Sequence, residues 1–260
     1  MSEDSPLNNA PRDGRHLTID PGRSAVFLDV DGTLIGIKAR PEDVRADSGL
    51  LELLQALETE LGGALALVSG RTMNQLDEIF APRRFTCAGM HGLERRNLEL
   101  DTEVTAAPPE AMAAARGVLL PFAEADERLL LEDKGATLAL HYRHAPERAG
   151  DVEAAVTRAI DAADGALVVL RGKMVFELKP PGIDKGLAID AFLQEEPFVG
   201  RLPVFFGDDV TDEAGFSAVN RRGGVSVRVG EADDETAARF VIGSVADVHA
   251  CLRRALQPGR

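Results

Sequence analysis

Asp29 and Asp31 are separated by one residue and follow directly on the apolar run Ala25-Val26-Phe27-Leu28. Two carboxylates at the mouth of a buried strand repel each other, so they are not a folding device. A hard cation bound through oxygen is the natural compensation. The bland alternative is a turn in which an Asp caps the backbone, and for an isolated Asp-x-Asp that is the commoner outcome. A second acidic pair, Asp208-Asp209, closes the apolar run Val204-Phe205-Phe206. Ser69 closes a third run, Leu65-Ala66-Leu67-Val68, and Lys185 stands at a helix start. A lone Ser-Gly-Arg or Lys-Gly is a cap or a solvated charge; the interest lies in the ensemble.

The elements that must position these residues alternate. The buried strand ending at Asp29 is followed by helical spacing over Leu50, Leu53, Leu54, Leu57 and Leu61, which Gly62-Gly63 stops. A strand through Ala64–Val68, a helix from about Met73 to Phe80 and a strand through Phe85–Ala88 come next. Such alternation predicts a Rossmann-like α/β domain, a parallel sheet with helices on both faces and a site at the carboxyl ends of its strands. After about Val104 the pattern becomes helix–strand–strand, twice: Pro108–Ala125, Leu129–Glu132 and Thr137–Tyr142, then Glu147–Ala163, Ala166–Leu170 and Met174–Leu178. Short turns at Asp133-Lys134-Gly135 and Arg171-Gly172-Lys173 predict antiparallel hairpins. The first pattern then returns with a helix over Asp184–Leu193, strands at Pro203–Phe206 and Gly224–Val229, and a closing helix over Val245–Leu256. The expected organisation is a core of residues 1–103 and 180–260 and an inserted antiparallel α+β cap of residues 104–179. An insert at that point is placed to exclude water from the site.

Four ordered segments carry a resemblance. Phe27-Leu28-Asp29-Val30-Asp31-Gly32-Thr33-Leu34, Val68-Ser69-Gly70-Arg71, Lys185 within Ile183-Asp184-Lys185-Gly186, and Gly207-Asp208-Asp209-Val210-Thr211-Asp212-Glu213 resemble the four motifs of the haloacid dehalogenase superfamily of phosphatases. The resemblance runs over nearly the whole chain from Ser24 onward. It implies Asp29 as the nucleophile that forms an aspartyl phosphate, and Asp31 as the acid and base that serves the leaving group and then the water. It implies Mg²⁺ held by Asp29, Asp208 and the backbone carbonyl of Asp31, with Asp209 and Asp212 direct or water-mediated and ranked lower. Ser69 and nearby amides, Gly70 among them, would hold the phosphoryl oxygens and Lys185 would add fixed positive charge, with Thr33 and Arg71 close by.

A narrower resemblance concerns the leaving group. Gly89-Met90-His91-Gly92-Leu93-Glu94-Arg95-Arg96, His141-Tyr142-Arg143 and Glu177-Leu178-Lys179-Pro180 leading into Asp184-Lys185-Gly186 are similar to segments of the trehalose-6-phosphate phosphatases. The family implies a sugar phosphate as substrate, with His91, Glu94, Arg95, Glu177 and Lys179 of the matching segments as candidate binding residues; Glu132 and Lys134 join them by placement alone. Glu132, Lys134, Glu177 and Lys179 stand near the two hairpin turns, where charged donors and acceptors would grip neutral hydroxyls; solvated hairpin charge is their bland reading. His141 is expected to support the cap fold, and Arg143 is undecided. With no Trp and a single Tyr, Tyr142, sugar recognition would be polar rather than by stacking. A phosphatase for another sugar phosphate, such as sucrose phosphate or mannosyl-3-phosphoglycerate, and a binding-only homologue are the alternatives. Receiver domains share an acidic cluster but are shorter and lack the Asp-x-Asp spacing and the insert.

The 260 residues carry a formal net charge of −14. That acid excess repels nucleic acid and anionic lipid, so neither is expected as a partner. An anionic substrate therefore needs local positive charge. Two cysteines, Cys87 and Cys251, without a CxxC pair, read as reduced thiols. No apolar run reaches the ~18 residues of a membrane span, and the polar start through Gly14 is read as frayed and without a leader. A cytoplasmic monomer or weak dimer is expected.

Overall fold

The computed structural model describes residues 11–38, 40–172, 174–231 and 235–257. The start of the chain through residue 10 and Lys173 of the second hairpin turn lie outside them. Two compact units emerge, one from residues 1–103 and 184–260 and one from residues 104–183, so the stretch 180–183 goes with the insert.

The first half of the large unit holds β1 (Arg12–Asp13), β2 (Ser24–Leu28), α1 (Ser48–Glu60), β3 (Leu65–Val68), α2 (Met73–Ile79), β4 (Cys87–Gly89), β5 (Glu94–Arg96) and β6 (Thr102–Val104). The insert holds α3 (Pro109–Glu124), β7 (Leu130–Asp133), β8 (Leu138–His141), α4 (Ala149–Ala162), β9 (Val168–Gly172) and β10 (Val175–Lys179). The chain closes the large unit with α5 (Lys185–Phe192), β11 (Leu202–Gly207), α6 (Glu213–Arg221), β12 (Val225–Val229), β13 (Phe240–Ile242) and α7 (Val245–Ala255).

The large sheet runs β1-β13-β12-β11-β2-β3-β4-β5-β6. Its central strands are parallel, as the alternation predicts. β2 is buried at every position because it lies between β11 and β3 with helices above and below. Phe27, Phe192 and Phe198 stack together and fasten β2 to α5. Helix starts are fixed locally. Asp47 caps α1, Thr72 and Gln75 form a capping box on α2, and Asp184 caps α5.

Two features depart from the expectation. β5 runs antiparallel to β4, so the sheet is mixed, and the Glu94-Arg95-Arg96 segment is a strand. Arg12–Asp13 pairs in parallel with β13, so the polar start is ordered from this point, not frayed through Gly14.

In the insert the four strands run β7-β8-β10-β9, all antiparallel. Leu138, Leu140, Phe176 and Leu178 are buried in one cluster with the apolar faces of α3 and α4. Strand alternation turns Glu132, Ala139, His141 and Glu177 to the opposite, helix-free face.

Candidate active site

β2 and β11 are neighbours in register, Leu28 opposite Phe206, so their next residues emerge side by side at the carboxyl edge of the sheet. The Asp29 N–H donates to the Phe206 carbonyl at 2.9 Å. Asp29, Asp208 and Asp212 bring carboxylate oxygens within 4.8 Å of one another. Lys185, at the first turn of α5, donates from Nζ to Asp29 Oδ1 at 2.7 Å and to Asp212 Oδ1 at 2.6 Å. Asp212 is fully buried, and its Oδ2 accepts the N–H groups of Asp208 and Asp209, each at 2.9 Å. Both of its oxygens are therefore engaged, and it holds the loop instead of facing outward. Close approach demands two glycines here. A Cβ on Gly207 would lie 2.3 Å from Asp212 Cγ, and one on Gly32, where φ is +83°, would lie 2.0 Å from Asp208 Oδ2.

The charges do not balance: three carboxylates share one ammonium. Burial, with Asp212 and Asp208 alongside, pushes the Asp29 carboxyl well above its ordinary range despite Lys185. Burial and Asp212 push Asp208 up to about 6. Burial alone would lower Lys185, but Asp212 and Asp29 hold its ammonium above the ordinary value. Uncompensated carboxylates in a buried cluster are costly unless a cation joins them, and this donor set fits a hard divalent ion. Asp212 already accepts three hydrogen bonds, so Asp29 and Asp208 have more oxygen capacity to spare. Thr33 is fully buried and its hydroxyl donates to Asp208 Oδ1 at 3.4 Å. Asp209 is exposed and caps the turn Val210–Asp212, outside the cluster that sequence order had placed it in.

Asp31 is not part of that cluster through its side chain. Its two oxygens accept from Arg71 Nε and Nη2 at 2.6 and 2.7 Å, a bidentate pair. Ser69 is buried beside it, its Oγ accepting the Arg71 N–H at 3.2 Å. His91 lies against Gly70: a Cβ there would meet the imidazole Cε1 at 2.7 Å.

Glu94, Arg95 and Arg96 are sorted by strand alternation. Glu94 accepts the Met73 N–H at the start of α2, and Arg96 binds Asp77 of the same helix and the Phe85 carbonyl. Arg95 points the other way, to Glu195 and Glu103 at 2.6 and 2.7 Å with its guanidinium over the Phe192 ring. Arg95 thus ties β5 to β6 and to the segment that follows α5, and no hydrogen bond of its own brings it to the acidic cluster.

In the insert, a separate polar group lies on the helix-free face. Glu132 meets His141 Nε2 at 3.2 Å, Lys134 Nζ stands 3.9 Å from Glu132 and 3.6 Å from Glu177, and Glu177 accepts the Thr137 hydroxyl at 2.8 Å. His141 and Thr137 were not expected in this group; Thr137 becomes visible only once β8 and β10 are paired. Glu177 stands in mid-strand, and meets the first hairpin across β8 instead of lining the second turn. Lys179 is buried and donates to the Ile183 carbonyl, bracing the segment that leaves the insert. Arg143 is exposed beyond β8. No helix among the described residues is long and apolar enough to cross a membrane.

Comparison with known proteins places the chain in one family. The family model described as Trehalose-phosphatase matches residues 27–242. The trehalose-6-phosphate phosphatase of Escherichia coli (strain K12) is 44% identical over 86% of this chain and 83% of its own length. A probable trehalose-phosphate phosphatase of Sinorhizobium fredii (strain NBRC 101917 / NGR234) is 42% identical over 82% of this chain and 80% of its own. Among solved structures, the C-terminal domain of C. albicans trehalose-6-phosphate phosphatase superposes with a TM-score of 0.79 at 20% identity, covering 95% of this chain and 98% of that one, which establishes a shared fold.

Proposed function

The chain belongs to the trehalose-phosphatase family of phosphoric monoester hydrolases, and from that premise we propose that it hydrolyses trehalose 6-phosphate to trehalose and phosphate with Asp29 as nucleophile and Mg²⁺ as cofactor. The observation that carries this reading is the buried Asp29–Lys185–Asp212 chain beside Asp208 at the ends of β2 and β11. Its excess of carboxylate over ammonium in a buried place opposes folding, and it combines a nucleophile, a fixed cation and cation ligands.

A phosphate monoester dianion and a carboxylate nucleophile repel each other. Asp29, Asp208 and the Asp31 carbonyl would hold Mg²⁺, which would supply the neutralising charge. Lys185 orients the Asp29 carboxylate and adds positive charge beside it. An Asp29 oxygen attacks phosphorus as the bond from phosphorus to the sugar oxygen breaks, and Asp31 delivers a proton to that oxygen. Water then attacks the aspartyl phosphate at phosphorus, Asp31 takes its proton, and the P–O bond to Asp29 breaks to release phosphate. The Ser69 hydroxyl and the Gly70 amide hold the phosphoryl oxygens. The incoming dianion competes for the Arg71 guanidinium and frees Asp31, which takes up a proton from solvent before it serves the leaving group. In the insert, Glu132, Lys134 and Glu177 exchange their mutual contacts for sugar hydroxyls.

The test is an acid quench of the enzyme turning over ³²P-labelled trehalose 6-phosphate with Mg²⁺. Label should remain on wild-type protein, labile to hydroxylamine, and be absent from Asp29→Asn. Turnover without any protein-bound label, even at early times and low temperature, would replace the covalent route by direct attack of water.

A further inference from the structure

Met90 and His91 both have left-handed backbone, φ 48° and 58°. Side chains rarely adopt that conformation, and two in succession store strain that the surroundings must offset. What holds them is the loop after β3. The His91 N–H donates to the Ser69 carbonyl and the Met90 N–H to the Arg71 carbonyl, each at 2.8 Å, so the turn brackets Gly70 from both sides. The imidazole fills the space a side chain at position 70 would take: a Cβ there would meet Cε1 at 2.7 Å, Nε2 at 2.8 Å and Nδ1 at 3.5 Å, and these are its three nearest atoms. The other side of the turn packs on α5. At Gly92, where φ is +108°, a Cβ would lie 3.0 Å from the Ala188 methyl and 3.2 Å from the Asp184 carbonyl. The turn is thus a wedge between the Ser69–Arg71 loop and the helix start that carries Lys185.

We propose that His91 is a positioning residue for phosphoryl transfer: its ring, seated on Gly70 by the strained turn, fixes the Ser69–Gly70–Arg71 loop in the shape that receives the phosphoryl group, and it takes no part in sugar recognition. The proposal rests on the phosphatase reading and moves His91 from the sugar to the phosphate. It explains why strain is retained at a position where an unstrained turn would serve a merely structural purpose.

The experiment compares wild type, His91→Ala, His91→Asn, Gly70→Ala and Gly70→Ala/His91→Ala. Asn tolerates left-handed backbone, so His91→Asn removes the ring while keeping the turn, should His91→Ala fail to fold. Turnover is read with trehalose 6-phosphate and with p-nitrophenyl phosphate, and inorganic phosphate binding with Mg²⁺ is read by thermal shift. Loss of the ring should lower kcat/KM about ten- to a hundredfold on both substrates alike and weaken phosphate binding. Gly70→Ala should match that loss by displacing the ring, and the double variant should be no worse than either single one. A loss confined to trehalose 6-phosphate, or losses that multiply in the double variant, would overturn the proposal. Wild-type turnover of p-nitrophenyl phosphate without trehalose 6-phosphate would remove the substrate reading alone, since the aryl substrate and phosphate binding still judge His91. A wild type that neither binds phosphate nor turns over either ester would remove both.

Discussion

The two polar groups of this molecule are built on opposite principles. Around Asp29 the charges are buried, unbalanced and locked: three carboxylates and one ammonium, with both Asp212 oxygens already satisfied. On the helix-free face of the insert, Glu132 and Glu177 share Lys134, Glu132 also meets the His141 ring, and the Glu132 side chain is 42% exposed. A buried imbalance cannot be exchanged and demands a partner of opposite charge, which is what phosphoryl transfer with a divalent cation provides. A half-exposed, self-satisfied group contributes little to folding and can trade its contacts for hydroxyls at small cost. On the proposed reading, the first arrangement would carry the reaction and the second would leave the leaving group open to selection.

Substitutions in the two groups should therefore fail in different ways. Asp29→Asn should lower turnover at least about a thousandfold, because no other group can form the covalent bond; substrate binding by calorimetry should persist, and retained turnover would move the nucleophile elsewhere. Asp212→Ala should cost about 1–3 kcal/mol of folding stability, since it leaves the Asp208 and Asp209 amides without their acceptor and Lys185 with Asp29 alone; a denaturant midpoint close to wild type would show the locking to be unimportant. Glu177→Ala should leave the fold intact and lower kcat/KM for trehalose 6-phosphate about 10- to 100-fold, the worth of a charged hydrogen bond, with little change for p-nitrophenyl phosphate. Equal losses on both would take Glu177 out of sugar recognition. The smallest effect depends on pH. Asp208 is raised from 3.8 to about 6, so its protonated form favours the metal-free fold below about pH 4, and that contribution disappears as pH rises through 6. Asp208→Asn does not titrate, so in EDTA it should gain on wild type between pH 4.5 and 7.5, by on the order of 1 kcal/mol after solvent screening of a partly exposed group. Melting temperatures that run parallel across that range would contradict the assignment.

The acidic cluster was legible because its geometry follows from parallel strands. Apolar runs ending in Asp29, Ser69 and Asp208 must reach one sheet edge, whatever the details between them. The helix–strand–strand insert was legible for the same reason, through period and turn chemistry. β5 was not, since Glu94-Arg95-Arg96 has no apolar alternation and becomes a strand only by pairing with β4. Nor was the split within it: which of three consecutive charges faces α2 and which faces α5 depends on pairing register. Asp212 ranks below Asp208 on the resemblance alone; its bonds to Lys185 and two amides depend on the folded loop and no spacing displays them. The Asp31–Arg71 pair and the seat of His91 on Gly70 likewise join loops from different strands, so only the folded arrangement displays them.

The most direct test is phosphate release from trehalose 6-phosphate, sucrose 6-phosphate and glucose 6-phosphate side by side, each with Mg²⁺ and with EDTA, and with Asp29→Asn as the blank. Fast release from trehalose 6-phosphate, slow release from the other two and reversible loss in EDTA are predicted. Release that ignores EDTA, or that never exceeds the blank, would contradict the claim that the buried cluster is a cation-dependent phosphoryl-transfer site.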